Sequence, residues 1–129
     1  MFEAELPASA EVCFSEFIDL KRARLWLPGL KKLQVVRSDA QGRPLEVSYE
    51  FGDILSYALV YAYDDVAMRV RWVPSVGVRD GVSGFAAFAK SDRGCHFRYS
   101  LESFRGRSQT HEQDVGLAFE RWIRSRATT

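Results

Sequence analysis

Residues 95–102 read CHFRYSLE, with an apolar or aromatic side chain at every second position. Successive side chains of a β-strand point to opposite faces of its sheet, so this alternation predicts a strand with one buried and one solvated face. Residues 45–51 and 67–73 alternate in the same way. The buried face of these three strands is predicted to carry Val47, Tyr49, Phe51, Met68, Val70, Trp72, Cys95, Phe97, Tyr99 and Leu101.

The same period of two extends over most of the chain. Short segments rich in glycine, aspartate and proline separate the strands, and they favour tight turns and therefore antiparallel hairpins. In the strand after residue 54, we interpret Tyr57, Tyr61 and Tyr63 as facing inward. The strand at residues 80–89 is apolar on both faces, so its orientation stays open. The predicted strands are Phe2–Leu6, Leu33–Asp39, Leu45–Phe51, Leu55–Tyr63, Ala67–Val73, Asp80–Ala89 and Cys95–Ser103.

Helical patterns follow the first strand and occupy the end of the chain. Ser9 is predicted to cap a helix that runs to about Leu20, and a second short helix is predicted over Lys21–Leu27, before Pro28. A third helix is predicted from Thr110 onward, and its apolar face carries Val115, Ala118, Phe119, Trp122 and Ile123. The predicted class is α+β: a curved antiparallel sheet of six to seven strands wrapped on a long C-terminal helix, with two short helices after strand one.

Length and charge limit the classes of function. A chain of 129 residues that is 47% hydrophobic can form one core, so residues 1–129 are predicted to be a single domain. A net charge of +1 argues against a nucleic-acid partner, because such binding needs a basic face. No apolar run approaches the roughly 20 residues that span a bilayer, and the acidic Glu3 and Glu5 differ from the basic start of a secretion signal. We expect a cytoplasmic protein without a transmembrane segment.

The predicted inner face is unusually rich in tyrosine. A buried phenol hydroxyl without a hydrogen-bond partner costs about 1–3 kcal/mol, so each hydroxyl must reach another group, solvent or a cavity. One interpretation is a solid interior whose hydroxyls reach the sheet edge. The other is a cavity, which we favour because one helix must cover a sheet of six or seven strands.

Several segments resemble the START-like helix-grip superfamily (SRPBCC), which includes the birch pollen allergen, polyketide cyclases and ubiquinone-binding proteins. Residues 6–14 (LPASAEVCF) resemble its strand-to-helix entry, and residues 26–30 (WLPGL) resemble its tryptophan-proline step. Residues 71–72 and the glycines within 77–84 stand where its middle strands lie, whereas Cys13 replaces a frequent tryptophan. The resemblance implies a pocket between sheet and last helix for a small hydrophobic molecule that is lipid-, quinone- or polyketide-like.

Catalytic motifs are poorly represented. His96 is predicted on the outer face and His111 in the first turn of the last helix, so no inward imidazole can serve as a base. Cys13 and Cys95 lack the spacing of a metal site, and we predict no metal, no cofactor and no catalytic set. Whether the protein is an enzyme stays open, because polyketide cyclase/aromatase-like relatives use pocket tyrosines. That alternative requires a charged side chain directed into the cavity.

The sequence therefore predicts a carrier or sensor that binds a small hydrophobic or aromatic ligand. A third hypothesis is a protein-interaction module that pairs through the doubly apolar strand Asp80–Ala89, which could form a homodimer. The predicted ligand-binding residues are Trp26, Tyr49, Tyr57, Tyr61, Trp72, Phe97, Tyr99, Val115, Phe119 and Trp122.

Overall fold

A seven-stranded antiparallel sheet and three helices make up the described part of the chain. The computed structural model describes residues 1–51, 55–75, 82–103 and 108–127, without the side chains of residues 55–57, 103, 108–111 and 127. The elements are β1 (Phe2–Leu6), α1 (Ala10–Ile18), α2 (Ala23–Trp26), β2 (Leu30–Ser38), β3 (Pro44–Phe51), β4 (Leu55–Asp64), β5 (Arg69–Pro74), β6 (Val82–Ser91), β7 (Gly94–Ser103) and α3 (Ser108–Ala127).

Strand order in the sheet is β1-β7-β6-β5-β4-β3-β2, so each strand from β2 to β7 pairs with its neighbour in sequence. β1 closes the other edge by pairing with β7, with Phe2 opposite Tyr99 and Leu6 opposite Cys95. The predicted α+β class and helix-grip architecture are confirmed. No described helix is long and apolar enough to cross a membrane.

Local signals place the first helix as predicted. The Ser9 hydroxyl accepts a hydrogen bond from the backbone N–H of Val12 at 3.2 Å, which satisfies one of the free amides at the start of α1. The helix ends at Ile18, where Asp19 takes an extended conformation, two residues earlier than predicted. α3 begins at Ser108, so the prediction that this helix starts at Thr110 is wrong.

The inner and outer faces of the strands agree with the alternation. Val47, Val70 and Phe97 are fully buried on the concave side, and the other predicted inner side chains that the structure describes join the same core. The structure also settles β6, which turns Val82, Ala86 and Phe88 inward. Its outward apolar residue Phe85 lies under the guanidinium of Arg69, 4.3 Å from the ring centre, so this contact covers it within the chain. Residues 80 and 81 of the predicted strand lie outside the described residues.

Helices cover one side of the concave face more than the other. α3 packs on β7 and β1, and α1 packs on β6 and β7. Phe88, Phe97 and Phe119 are fully buried in this region, and the ring centres of Phe97 and Phe119 lie 5.0 Å apart. Across β3, β4 and β5 the described covering is the chain from the end of α1 through α2. The fold therefore leaves its thinnest cover above these three strands.

On the outer face, the side chain of His96 in β7 contacts two carboxylates of the edge strand β1. Its Nδ1 lies 2.8 Å from a carboxylate oxygen of Glu5, and its Nε2 lies 3.2 Å from one of Glu3. The hydrogen bonds to Glu5 and Glu3 raise the pKa of His96 above its ordinary value. The protonated imidazole therefore stabilises the pairing of β1 with β7.

We expect His96→Gln to destabilise the protein more at pH 5.5 than at pH 8.5. A raised folded-state pKa gives a stabilisation that is fully present below the unfolded value of about 6.5 and is lost as the pH rises through the folded value. Urea denaturation of both proteins at the two pH values measures the difference. An equal difference at the two pH values would contradict the assigned ion pairs.

Gly116 of α3 is predicted to be required for the close approach of β1. A Cβ atom at this position would lie 2.4 Å from the ring of Phe2. Overpacking of this kind costs about 1–3 kcal/mol, whereas alanine gains roughly 1 kcal/mol in helix propensity. Because the contact with the Phe2 ring is as short as 2.4 Å, we expect the cost to exceed the gain. Gly116→Ala should therefore lower the free energy of unfolding in urea, whereas Gln113→Ala on the exposed face should change it little. A stabilised Gly116→Ala protein would show that Phe2 packs elsewhere.

Candidate ligand-binding cavity

A cavity of about 80 Å³ lies between strands β3–β5 and the segment that runs from the end of α1 through α2. The sheet provides its floor, and residues of the α1–α2 segment form its cover. It is partly open to the surface. Its described lining is Phe17, Ile18, Leu20, Ala23, Trp26, Leu27, Tyr49, Phe51, Leu59, Tyr61, Tyr63, Val70, Trp72, Val82, Tyr99, Leu101 and Val115.

Two phenols of neighbouring strands share a hydrogen bond at the cavity floor. The hydroxyl groups of Tyr49 and Tyr61 bond to each other. Burial raises the pKa of Tyr49 and raises that of Tyr61 well above the ordinary phenol value. Both phenols therefore stay protonated at neutral pH. Because one proton lies between the two oxygens, the other proton of the pair remains free to be donated.

Tyr63 has a different environment at the edge of the lining. Its hydroxyl donates to the backbone carbonyl of Pro44 at 2.5 Å, and the guanidinium of Arg43 lies 4.5 Å from its ring centre. Burial raises the pKa of Tyr63 to about 12. This tyrosine is therefore held against β3, and its proton is already used.

Two indole N–H groups of the lining have no hydrogen-bond partner among the described residues. They belong to Trp26 and Trp72, and Trp72 is 4% exposed. An unpartnered buried donor costs about 1–3 kcal/mol, so an acceptor placed beside either indole would recover part of that free energy. The described polar groups of the cavity are thus mainly donors.

Phe17 is the central ring of the cover. It stacks on Trp72 with ring centres 6.2 Å apart, and it also contacts Trp26 at 5.7 Å and Tyr99 at 6.1 Å. Its edge meets Phe119 at 5.2 Å, so it joins the cavity to the solid core. Phe17 is not among the ligand-binding residues predicted from the sequence. Its position on the apolar side of the first helix was the available signal.

The structure brings together six of the predicted ligand-binding residues. Trp26, Tyr49, Tyr61, Trp72, Tyr99 and Val115 all line the cavity. The backbone of Tyr57 pairs with Tyr49 in the sheet, but its side chain lies outside the described residues. His111 has its backbone in α3, and its side chain is likewise not described.

Phe97, Phe119 and Trp122 are not placed on the lining. Phe97 and Phe119 are fully buried in the solid core, because α3 packs directly on the strands in that region. The Trp122 indole N–H donates to Glu16 at 3.3 Å, which directs this side chain toward α1. The predicted cover of the cavity by α3 therefore reduces to Val115 among the described residues, and the α1–α2 segment provides most of it.

The described lining carries no carboxylate, imidazole or guanidinium. Glu112, at 5% exposure, is the buried carboxylate of the described residues, but it does not line the cavity. Its oxygens accept a hydrogen bond from the backbone N–H of Leu101 and pair with the amino group of Met1, both at 2.8 Å. Its charge is therefore already balanced, and the described chemistry of the cavity is aromatic stacking, apolar contact and hydrogen-bond donation.

Cavity size restricts what can enter. An engineered apolar cavity of about 150 Å³ holds benzene, whereas this one has about 80 Å³. A ligand with one or two rings must therefore displace part of the cover. Leu20 and Leu27 of the α1–α2 segment are partly exposed and are the side chains best placed to yield. The size disfavours a lipid with two acyl chains.

No family model matches the sequence, and no curated protein matches it. Solved structures do match its fold. A START superfamily protein from Mycobacterium smegmatis superposes with a TM-score of 0.73 at 13% identity, covering 97% of this chain and 96% of that one. A STAR-related lipid transfer protein from Xanthomonas axonopodis has a TM-score of 0.63 at 14% identity, covering 98% and 84%.

The di-domain ARO/CYC protein StfQ of the steffimycin biosynthetic pathway also matches, with a TM-score of 0.74 at 11% identity. The match covers 97% of this chain and 44% of StfQ. The chain therefore has the START-like helix-grip fold that the resemblance of its sequence predicts. At these identities the likeness establishes the fold alone.

The hydroxyl pair predicts a strongly non-additive mutant cycle. Tyr49→Phe and Tyr61→Phe should each destabilise the protein by about 1–2 kcal/mol, because each leaves the other hydroxyl without its partner. The double variant should be no less stable than either single one, because both polar groups are then removed. Urea denaturation of the four proteins measures the coupling, and additive losses would show that the two hydroxyls do not bond.

Proposed function

We propose that the protein binds a small apolar molecule that carries one or two rings and a carbonyl oxygen, and that it holds and releases this molecule as a carrier or sensor. The single observation behind the proposal is the lining of the cavity. Its side chains are hydrocarbon and aromatic rings, and its unpartnered polar atoms are the indole N–H groups of Trp26 and Trp72.

The rings favour an aromatic ligand. Phe17, Trp72 and Tyr61 line the cavity, and the ring centre of Trp72 lies 6.2 Å from that of Phe17 and 6.1 Å from that of Tyr61. Aromatic pairs contribute about 0.5–1.5 kcal/mol beyond the burial of their area. Removing apolar ligand surface from water supplies most of the remaining affinity. A planar molecule that slides between the cover and the floor would use both contributions.

The donors favour an acceptor on that ligand. A carbonyl oxygen has two lone pairs and can accept from an indole N–H, from the free proton of the Tyr49–Tyr61 pair, or from both. A ligand hydroxyl would bring its own proton into a site that already has unmatched donors. The arrangement therefore selects carbonyl compounds over hydrocarbons and over alcohols of the same shape.

Binding without turnover is better supported than catalysis. A cyclase- or aromatase-like reaction needs a group that moves a proton or stabilises developing charge near neutral pH. The described lining offers phenols whose pKa values are raised by burial, so they are weak acids, and they stay protonated at neutral pH and are not available as bases. Proteins of similar fold include a STAR-related lipid transfer protein and the ARO/CYC protein StfQ, and the cavity chemistry here favours the first kind of role.

The test compares 1-indanone with indane, a hydrocarbon of nearly the same shape. Indole N–H signals in nitrogen–proton correlation spectra report directly on the three tryptophans, once each has been assigned by a Trp→Phe variant. We expect 1-indanone to shift the signals of Trp72 or Trp26 downfield and to bind about two- to tenfold more tightly than indane. Trp122, which donates to Glu16, serves as the internal control.

Trp72→Phe keeps an aromatic ring and removes the donor, so it should abolish the preference for 1-indanone if this indole provides the hydrogen bond. Trp26→Phe is the matched variant on the cover. Equal affinities for the ketone and the hydrocarbon in the unaltered protein would contradict the carbonyl preference. No response of Trp26 and Trp72 to either compound would contradict ligand binding in the cavity.

A further inference from the structure

A second, larger depression lies beside the edge strand β2. Its volume is about 670 Å³, and it runs between the end of α1, the turn toward α2, and the start of the β2–β3 hairpin. We refer to it as the outer groove. Its described lining is Ile18, Asp19, Leu20, Lys21, Arg24, Leu33, Val35, Ser38, Gly42, Arg43 and Pro44.

The outer groove is continuous with the cover of the cavity. Ile18 and Leu20 line both spaces, and both side chains are partly exposed. On the far wall of the groove, Leu33 and Val35 of β2 turn apolar surface toward the same space, and Val35 is 41% exposed. A molecule that displaces Leu20 to enter the cavity would therefore leave its remaining part in the outer groove.

Three cations line the outer groove, and one of them, Arg43, is paired with carboxylates. Arg43 is held by Asp39 at 2.9 Å and by Asp65 at 2.5 Å, so its charge is balanced. Asp19 faces Arg22, with the closest atoms 3.7 Å apart.

Lys21 and Arg24 are the other two cations of the groove, and they differ from Arg43. Both are exposed and both line the groove, and neither side chain forms an ion pair with a described carboxylate, although the backbone N–H of Lys21 donates to Asp19 at 3.2 Å. They stand on the same side as the shared residues Ile18 and Leu20. The groove thus combines apolar side chains with two positive charges on the segment that also covers the cavity.

We propose that the ligand also carries a free carboxylate, which lies in the outer groove against Lys21 and Arg24 while the ring and the carbonyl enter the cavity. This inference rests on the proposed function and adds the charge of the ligand to it. A carboxylate suits a lysine and an arginine together, because both donate charge-assisted hydrogen bonds to oxygen. The small cavity favours a single ring or chain over a membrane lipid with two chains.

The test uses ω-benzoylalkanoic acids and their methyl esters. Each ester keeps the ring, the ketone oxygen and the chain, and lacks the charge. Chains of three, four and six carbons between ketone and carboxylate scan the reach from the cavity to the groove. We expect one length at which the acid binds about five- to twentyfold more tightly than its ester at low salt, and an advantage that shrinks in 0.5 M salt because the contact is exposed.

Variants assign the effect to the two cations. Lys21→Gln and Arg24→Gln should each reduce the acid-to-ester ratio about two- to fivefold, and the double variant should bring it close to one. Ester affinity should change less than acid affinity in all of them. Arg93→Gln, in the turn between β6 and β7 and outside the groove, is the matched control and should leave the ratio as it is.

The outcomes separate the two proposals. If the esters bind in the cavity and the acids bind no better, or if the double variant keeps the acid preference, the carboxylate site is wrong and the cavity proposal stands. If neither acids nor esters perturb Trp26 and Trp72, the proposed function itself fails. If the unaltered protein sediments with phosphatidylglycerol vesicles through Lys21 and Arg24 without preferring the acids, the outer groove is a membrane contact, and the inference is overturned.

Discussion

The width of the sheet relative to its helices governs the rest of the structure. Seven strands spaced about 4.8 Å apart span roughly 29 Å, whereas one helix with its side chains is about 10–12 Å wide. α3 and α1 therefore cover β1, β7 and β6 well, and the face of β3–β5 is left to the short segment around α2. Apolar side chains are abundant in both regions, but only the first is covered by the longer helices. A solid core therefore forms in the first region and a cavity in the second.

The aromatic side chains of that cavity differ in whether their polar atoms have hydrogen-bond partners. Tyr49 and Tyr61 bond to each other, and Tyr63 reaches a backbone carbonyl, so each of these three phenols has a hydrogen-bond partner within the protein. The indoles of Trp26 and Trp72 are not accommodated in this way. A cavity that is apolar in outline and has unmatched donors discriminates among ligands through a few hydrogen bonds, while area and stacking supply the affinity.

Most of the fold could be predicted from alternation, because a period of two fixes the face of each residue once a single strand is placed. The alternation could not show where along the sheet the helices lie, so Phe97 and Tyr99 were both predicted to line the cavity. In the structure Phe97 is in the solid core and Tyr99 reaches the cavity. β6 gave no signal because Phe85 is apolar yet outward, under Arg69. Phe17 was visible as part of an apolar helix face, but its contacts with three strands are a tertiary property that spacing cannot express.

The central claim is that a hollow exists above β3–β5 and is bounded by Leu20, Tyr61 and Trp72. A crystal structure determined under xenon pressure tests it most directly, because xenon enters apolar cavities of this kind and scatters strongly. The account predicts a xenon atom between the ring of Trp72 and the α1–α2 segment, and none between Phe97 and Phe119. Side chains that fill the space above β3–β5, with no xenon there, would contradict it.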